Sequence, residues 1–184
     1  MRTSSCVRPA LIALLTMVLV TSVSAERTTI PLADIQELTP PQGSEEAPRF
    51  LVGMQLPVAL RGATIDLAFL RLAVDAEQGE GGEPLVVECF PVTTSWTPGA
   101  AGWSSGWDTP GGDYLASLGT SWVGAVDSTA AVSLDVTEIV QAWADSTLGA
   151  HGVILVPAGE REVTDISAMV GTSPLRVWFT RAEP

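Results

Sequence analysis

The chain has 184 residues, with nine Arg, no Lys and 21 acidic residues, for a formal net charge of −12. That length suits a single domain, and so acidic a surface repels nucleic acid and anionic lipid, which excludes both as partners. Two Cys and one His are too few for a zinc site.

The first segment reads as a secretory signal. Arg2 and Arg8 give it a positive start, an apolar run follows from Ala10 to Val20, and Thr21-Ser22-Val23-Ser24-Ala25 ends it with small side chains. Cleavage is expected after Ala25, where Val23 and Ala25 satisfy the small-x-small rule. The apolar run is shorter than the about 20 residues a membrane span needs, and no second such run follows. No membrane insertion is therefore expected once the signal is removed, and the product is expected outside the cytoplasm. Seven Arg then stand against all 21 acids, so the formal charge becomes −14. Cys6 leaves with the signal and Cys89 remains alone, so no internal disulfide can form. Its apolar neighbours, Leu85 to Phe90, point to a buried thiol, the alternative being a disulfide between two chains.

Residues 26–48 read as an N-terminal strand, Thr28 to Leu32, and a linker, in which Thr39 to Glu46 is a polar loop. The domain proper spans 49–184. Phe50, Val52, Met54 and Leu56 alternate as in a strand. Arg61-Gly62-Ala63 reads as a turn. Thr64 to Val74 is apolar on both parities, which fits a strand covered on both faces or a helix. Asp75 to Pro84 is an acidic, Gly-rich loop, and Leu85 to Thr94 a Val- and Thr-rich strand. Residues 96–124 hold four of the six Trp among many Gly, and read as a long ordered connection. Ala130 to Val136 alternates again. A helix is expected over 137–145, with Ile139, Val140 and Trp143 on one face, Asp135 and Glu138 at capping-box spacing, and Gly149 as its end. Strands follow at Gly152 to Pro157, Asp165 to Val170 and Leu175 to Thr180. About eight short strands and one helix imply an all-β fold, an antiparallel β-sandwich of the jelly-roll kind.

Five stretches in this order resemble the DNRLRE family, a domain of bacterial and archaeal secreted and surface proteins. They are Phe50 to Pro57, Arg61 to Leu72, Phe90 to Trp96, Asp135 to Trp143 and His151 to Pro157. His151 stands where the family usually has Asn. The resemblance implies a jelly-roll sandwich for 49–184, kinship with carbohydrate-binding modules and no catalysis. Trp96 and Trp143 fall on framework positions of that pattern.

Three site chemistries are legible. Trp103, Trp107, Tyr114 and Trp122 form an aromatic set in the Gly-rich loop. Exposed indoles stack on the apolar faces of sugars while neighbouring acids such as Asp108 and Asp113 bond the hydroxyls. The competing reading is that these rings fill the core. Asp75, Glu77, Glu80 and Glu83 in one loop, and Asp108 and Asp113 in another, supply oxygen ligands suited to calcium, the one cofactor the sequence suggests; a solvated acidic loop is the plainer reading. Gly102-Trp103-Ser104-Ser105-Gly106 matches G-x-S-x-G, followed by Asp127 or Asp135 and by His151, but neither a strand before nor a helix after it is expected. The expectation is a secreted, non-catalytic module whose partner is a polysaccharide, with a structural role beside a surface or matrix protein as the alternative.

Overall fold

A computed structural model describes residues 25–76, 83–125, 129–158, 163–168 and 175–181. The signal reading, together with Glu77, Glu80 and Asp127, falls outside the described residues. Ten strands and one helix follow in order: β1 (Ala25–Ile30), β2 (Leu32–Leu38), β3 (Arg49–Met54), β4 (Thr64–Ala76), β5 (Leu85–Pro91), β6 (Thr120–Gly124), β7 (Thr129–Asp135), α1 (Thr137–Ala144), β8 (Val153–Ala158), β9 (Val163–Ala168) and β10 (Leu175–Thr180).

The strands form two antiparallel sheets. The first has the order β1-β10-β4-β7, with β9 pairing to β4 along the same edge as β10. The second has the order β2-β3-β8-β5-β6. The chain crosses repeatedly between them: β3 to β4, β4 to β5, β6 to β7, β7 to β8 and β8 to β9. Such crossing wraps the sheets into a jelly-roll sandwich. The expected first strand is in fact two. Pro31, which has no N–H to donate, separates β1 in one sheet from β2 in the other.

The core lies between the sheets. Leu70, Leu72 and Val74 of β4, Val132 and Leu134 of β7, Leu85 and Val87 of β5, and Leu155 of β8 are all at most 1 % exposed. Each such side chain contributes about 2 kcal/mol on burial. The mixed parity of β4 has a local cause. Its register against β10 shifts between Trp178 and Phe179, so Asp66 is an extra residue. Ile65 and Ala68 therefore both face inward across this bulge. Beyond it Leu67 and Phe69 face outward and are half-buried, so β4 is a strand with one core face, neither a helix nor a strand roofed on both sides.

The helix lies where expected, with Ile139, Val140 and Trp143 buried. Its ends differ from expectation. Val136 occupies the N-cap and no side chain caps the helix. The Asp135 carboxylate accepts instead from the N–H and hydroxyl of Thr137, and that hydroxyl accepts from the Ala68 N–H at 2.9 Å. At the other end Ser146, not Gly149, takes the left-handed conformation. Gln141 ties the helix to the start of β4: its Oε1 accepts from the Ile65 N–H at 2.7 Å and its Nε2 donates to the Ala63 carbonyl at 3.2 Å.

Candidate functional site

The Trp-rich connection folds back onto the outer face of the second sheet and builds a small second core there. Leu38, Leu51, Val92, Trp103 and Ile154 are buried in it, with Trp96, Trp107 and Tyr114 packed around them. Trp103 is 6 % exposed, which leaves no ring face for a sugar. The expectation that it stacks on a ligand is thus corrected: the strand side chains Leu38, Leu51 and Ile154 leave an apolar floor that one indole fills. The Arg49 guanidinium lies 4.9 Å from the Trp103 ring and 5.8 Å from that of Tyr114, and donates to the Gly111 carbonyl at 3.0 Å. Tyr114 stacks on Phe90 at 4.8 Å. The half-buried Trp107 donates its N–H to the Gly102 carbonyl at 2.7 Å. Gln36 pins the loop from β2, accepting from the Gly99 N–H and donating to the Ala101 carbonyl.

Asp113 is an organiser of this loop. Its carboxylate accepts from the N–H groups of Asp108 (2.9 Å) and Thr109 (2.8 Å) and from the Thr94 hydroxyl (3.0 Å). The Asp108 N–H is the strongest of the influences that hold this carboxyl below the usual carboxylate range; burial pushes the other way, and the Thr109 and Thr94 bonds add to the lowering. A carboxylate so occupied has little left for a cation. Among the described residues no three His, Cys, Asp or Glu converge as a metal site. Asp113 serves the loop, and Asp75 accepts from the Thr129 hydroxyl at 2.5 Å. Trp122 stands apart from the other rings. It sits opposite the buried Val87 on the inward side of β6, against the main core.

The G-x-S-x-G stretch forms a tight turn closed by the pairing of Gly102 with Ser105. Neither a strand before it nor a helix after it strains Ser104, which is exposed, so the arrangement is not a nucleophile elbow. Cys89 is fully buried in β5, and burial drives its thiol pKa far up. A disulfide to another chain would need this strand to open.

What the loop leaves open is a groove at its start. A cleft of about 250 Å³ is lined by Asp34, Gln55, Ser95, Trp96 and His151. The Trp96 indole is half-buried, donates to the His151 carbonyl at 2.7 Å, and is backed by Gly53, where a Cβ would come within 3.3 Å of the ring. A second cleft of about 470 Å³ shares Met54, Gln55 and Ala150 with the first and continues to Arg61, Ser146 and Trp143. The two run together between the segment after β3 and the segment before β8. The buried Trp143 N–H finds no acceptor among the described residues. The groove thus offers one fixed aromatic face and several hydroxyl-bonding groups.

Sequence reasoning placed Trp96 and Trp143 in the framework and passed over Asp34, Gln55, Ser95 and Arg61. Of these, Gln55, Ser95 and Arg61 lie in connections between strands and Asp34 lies within β2. Among the described residues no helix is long and apolar enough to cross a membrane. No family model and no curated protein matches the chain.

Proposed function

We propose that the protein is an exported, non-catalytic binding module that holds a segment of polysaccharide in the groove running from Trp96 towards Arg61. The observation that carries this reading is the Trp96 indole: a half-open ring locked by its bond to the His151 carbonyl and bordered by Asp34, Ser95 and Gln55. Such a ring supplies an apolar platform without losing side-chain freedom on binding, and the polar rim can bond sugar hydroxyls. Asp34 in the rim and a net charge of −12 favour a neutral polysaccharide over an acidic one. The resemblance to the DNRLRE domain points the same way for the sandwich and for the absence of catalysis.

Electrophoresis through gels containing neutral or acidic polysaccharides tests the proposal. At least one neutral glycan should retard the wild type, and Trp96→Ala should abolish that retardation by raising Kd at least tenfold while leaving the far-ultraviolet circular dichroism unchanged. Retardation that survives Trp96→Ala would place the ligand elsewhere. Absence of retardation by every glycan would favour the structural alternative, a brick beside a surface or matrix protein, which the tight closure of the Trp103 loop on its sheet also supports.

A further inference from the structure

The outer face of the first sheet carries apolar side chains that neither core claims. Across its strands Leu67, Trp178 and Arg27 lie in one row, and Phe69, Arg176 and Thr29 in the next. Arg71 follows on β4, opposite Ser133. Leu67, Phe69 and Trp178 are half-buried and belong to neither apolar cluster. Three of the nine Arg of a chain with 21 acids thus gather round an aromatic patch at one end of one sheet face. Asp135, at the β7 end of the Phe69 row, is occupied by the N–H and hydroxyl of Thr137.

The opposite end of the same face has the opposite sign. Past the small residues Ala73, Ala131 and Ser167, the Asp75 row is completed by Asp165 and Thr129. A face that is cationic and aromatic from the Leu67 row to Arg71, small at the Ala73 row and anionic at the Asp75 row is complementary at its two ends when turned end for end.

We infer that two copies of this chain pair through the outer face of the first sheet. The two-fold axis lies in the plane between the sheets and perpendicular to the strands. Arg27 and Arg176 of one copy then meet Asp75 and Asp165 of the other, and each aromatic patch is covered. A closed pairing of this kind uses one patch on both copies, and it satisfies both ends at once. Four strands spaced about 4.8 Å apart, over about nine residues of β4, make a face of roughly 600 Å² per copy. The total, roughly 1,200 Å², is at the small end of specific interfaces, so the dimer is concentration-dependent. A two-fold along the strands would set the Arg rows on Arg rows and the Asp row on itself, whereas the end-for-end pairing leaves only Arg71 facing its own copy near the axis, a difference that selects it. The pairing stands apart from the Trp96 groove, which is built on the second sheet and the segments at its end.

Charge exchange tests it. Sedimentation equilibrium on the full chain from 1 µM to 1 mM at low salt should show a monomer–dimer equilibrium. Arg27→Asp/Arg176→Asp and Asp75→Arg/Asp165→Arg should each be monomeric across that range, with the far-ultraviolet circular dichroism of the wild type. An equimolar mixture of the two should regain the dimer, because positions 27 and 176 of each copy again meet opposite charges at positions 75 and 165 of the other. A wild type that stays monomeric at 1 mM overturns the inference. So does a dimer that persists in both variants, or a mixture of two folded variants that fails to associate.

Discussion

Ser146 holds φ at 58°, the one non-Gly residue at positive φ among those described. It closes α1 with the paired bonds of a Schellman ending: its N–H donates to the Trp143 carbonyl at 3.2 Å, and the Thr147 N–H to that of Ala142 at 3.0 Å. An L side chain in this conformation costs roughly 1 kcal/mol that glycine does not bear. Ser146→Gly should therefore raise the stability by about 0.5–1 kcal/mol, read as a higher urea midpoint at unchanged slope. Since Ser146 also lines the wider cleft, glycan binding in the same variant reports whether its hydroxyl contributes to the groove. A lower midpoint would mean that the hydroxyl stabilises the helix end through contacts outweighing the backbone strain. Gly152 shows the converse case. At φ +92 it passes so close to the Val52 carbonyl that any Cβ would collide with it, and it brings β8 in beside β3.

At the scale of an element, the loop over residues 96–113 is organised by one carboxylate. The lowered pKa of Asp113 fixes the sign of its pH dependence. The stabilisation is present above the unfolded value, about 4, and is lost as pH falls through the lower folded value. The near-ultraviolet circular dichroism of the packed Trp should therefore decay below pH about 4, ahead of the far-ultraviolet signal. Asp113→Ala should show the decayed spectrum already at pH 7, with no step in the acid range. An unchanged acid step in that variant would mean another carboxylate sets the transition. This element is also where sequence reading stops short. Strands such as β5 and β10 are legible because alternation at period two survives any neighbour. The helix is legible from Ile139, Val140 and Trp143. The two-sided pattern of β4 is ambiguous because a single bulge at Asp66 swaps the parity. The sequence reading sets Trp96 in the framework and Trp103 against a ligand, yet Trp103 is the more buried of the two. Trp103 is sunk and Trp96 half-open because Leu38, Leu51 and Ile154 happen to leave a floor at the first position and Gly53 a shelf at the second. The groove residues Asp34, Gln55 and Arg61 carry no shared periodic signature, since Asp34 comes from β2 and the other two from the β3–β4 connection, and they meet only once these have folded together.

For the whole molecule, the consequence is two apolar cores of unequal size on the two sides of one sheet. The larger joins both sheets, and its loss unfolds the protein. The smaller joins the second sheet to a loop rich in Gly, whose own backbone bonds are few and local, such as Gly111 to Trp103 at 2.6 Å. Large-to-small changes in a core cost about 3–5 kcal/mol for a Trp, but the cost can be taken by whichever unit opens most easily. Trp103→Ala should therefore open the loop before the sandwich. By native-state hydrogen exchange, the amides of residues 99–112 should lose most of their protection. Those of β4 and β10, paired with each other in the first sheet, should keep theirs within about tenfold, a change of about 1.4 kcal/mol. Leu70→Ala should instead lower protection everywhere together, since Leu70 is fully buried between the sheets. If Trp103→Ala lowers β4 and β10 as much as the loop, the two cores form one cooperative unit, and the loop is then part of the sandwich. The outcome bears on binding as well, because Trp96 stands at the hinge between them: its ring packs against the smaller core and its N–H is held by His151 in the segment leading into β8. A loop that opens independently would leave that second anchor in place, so Trp103→Ala should weaken glycan retention less than Trp96→Ala does.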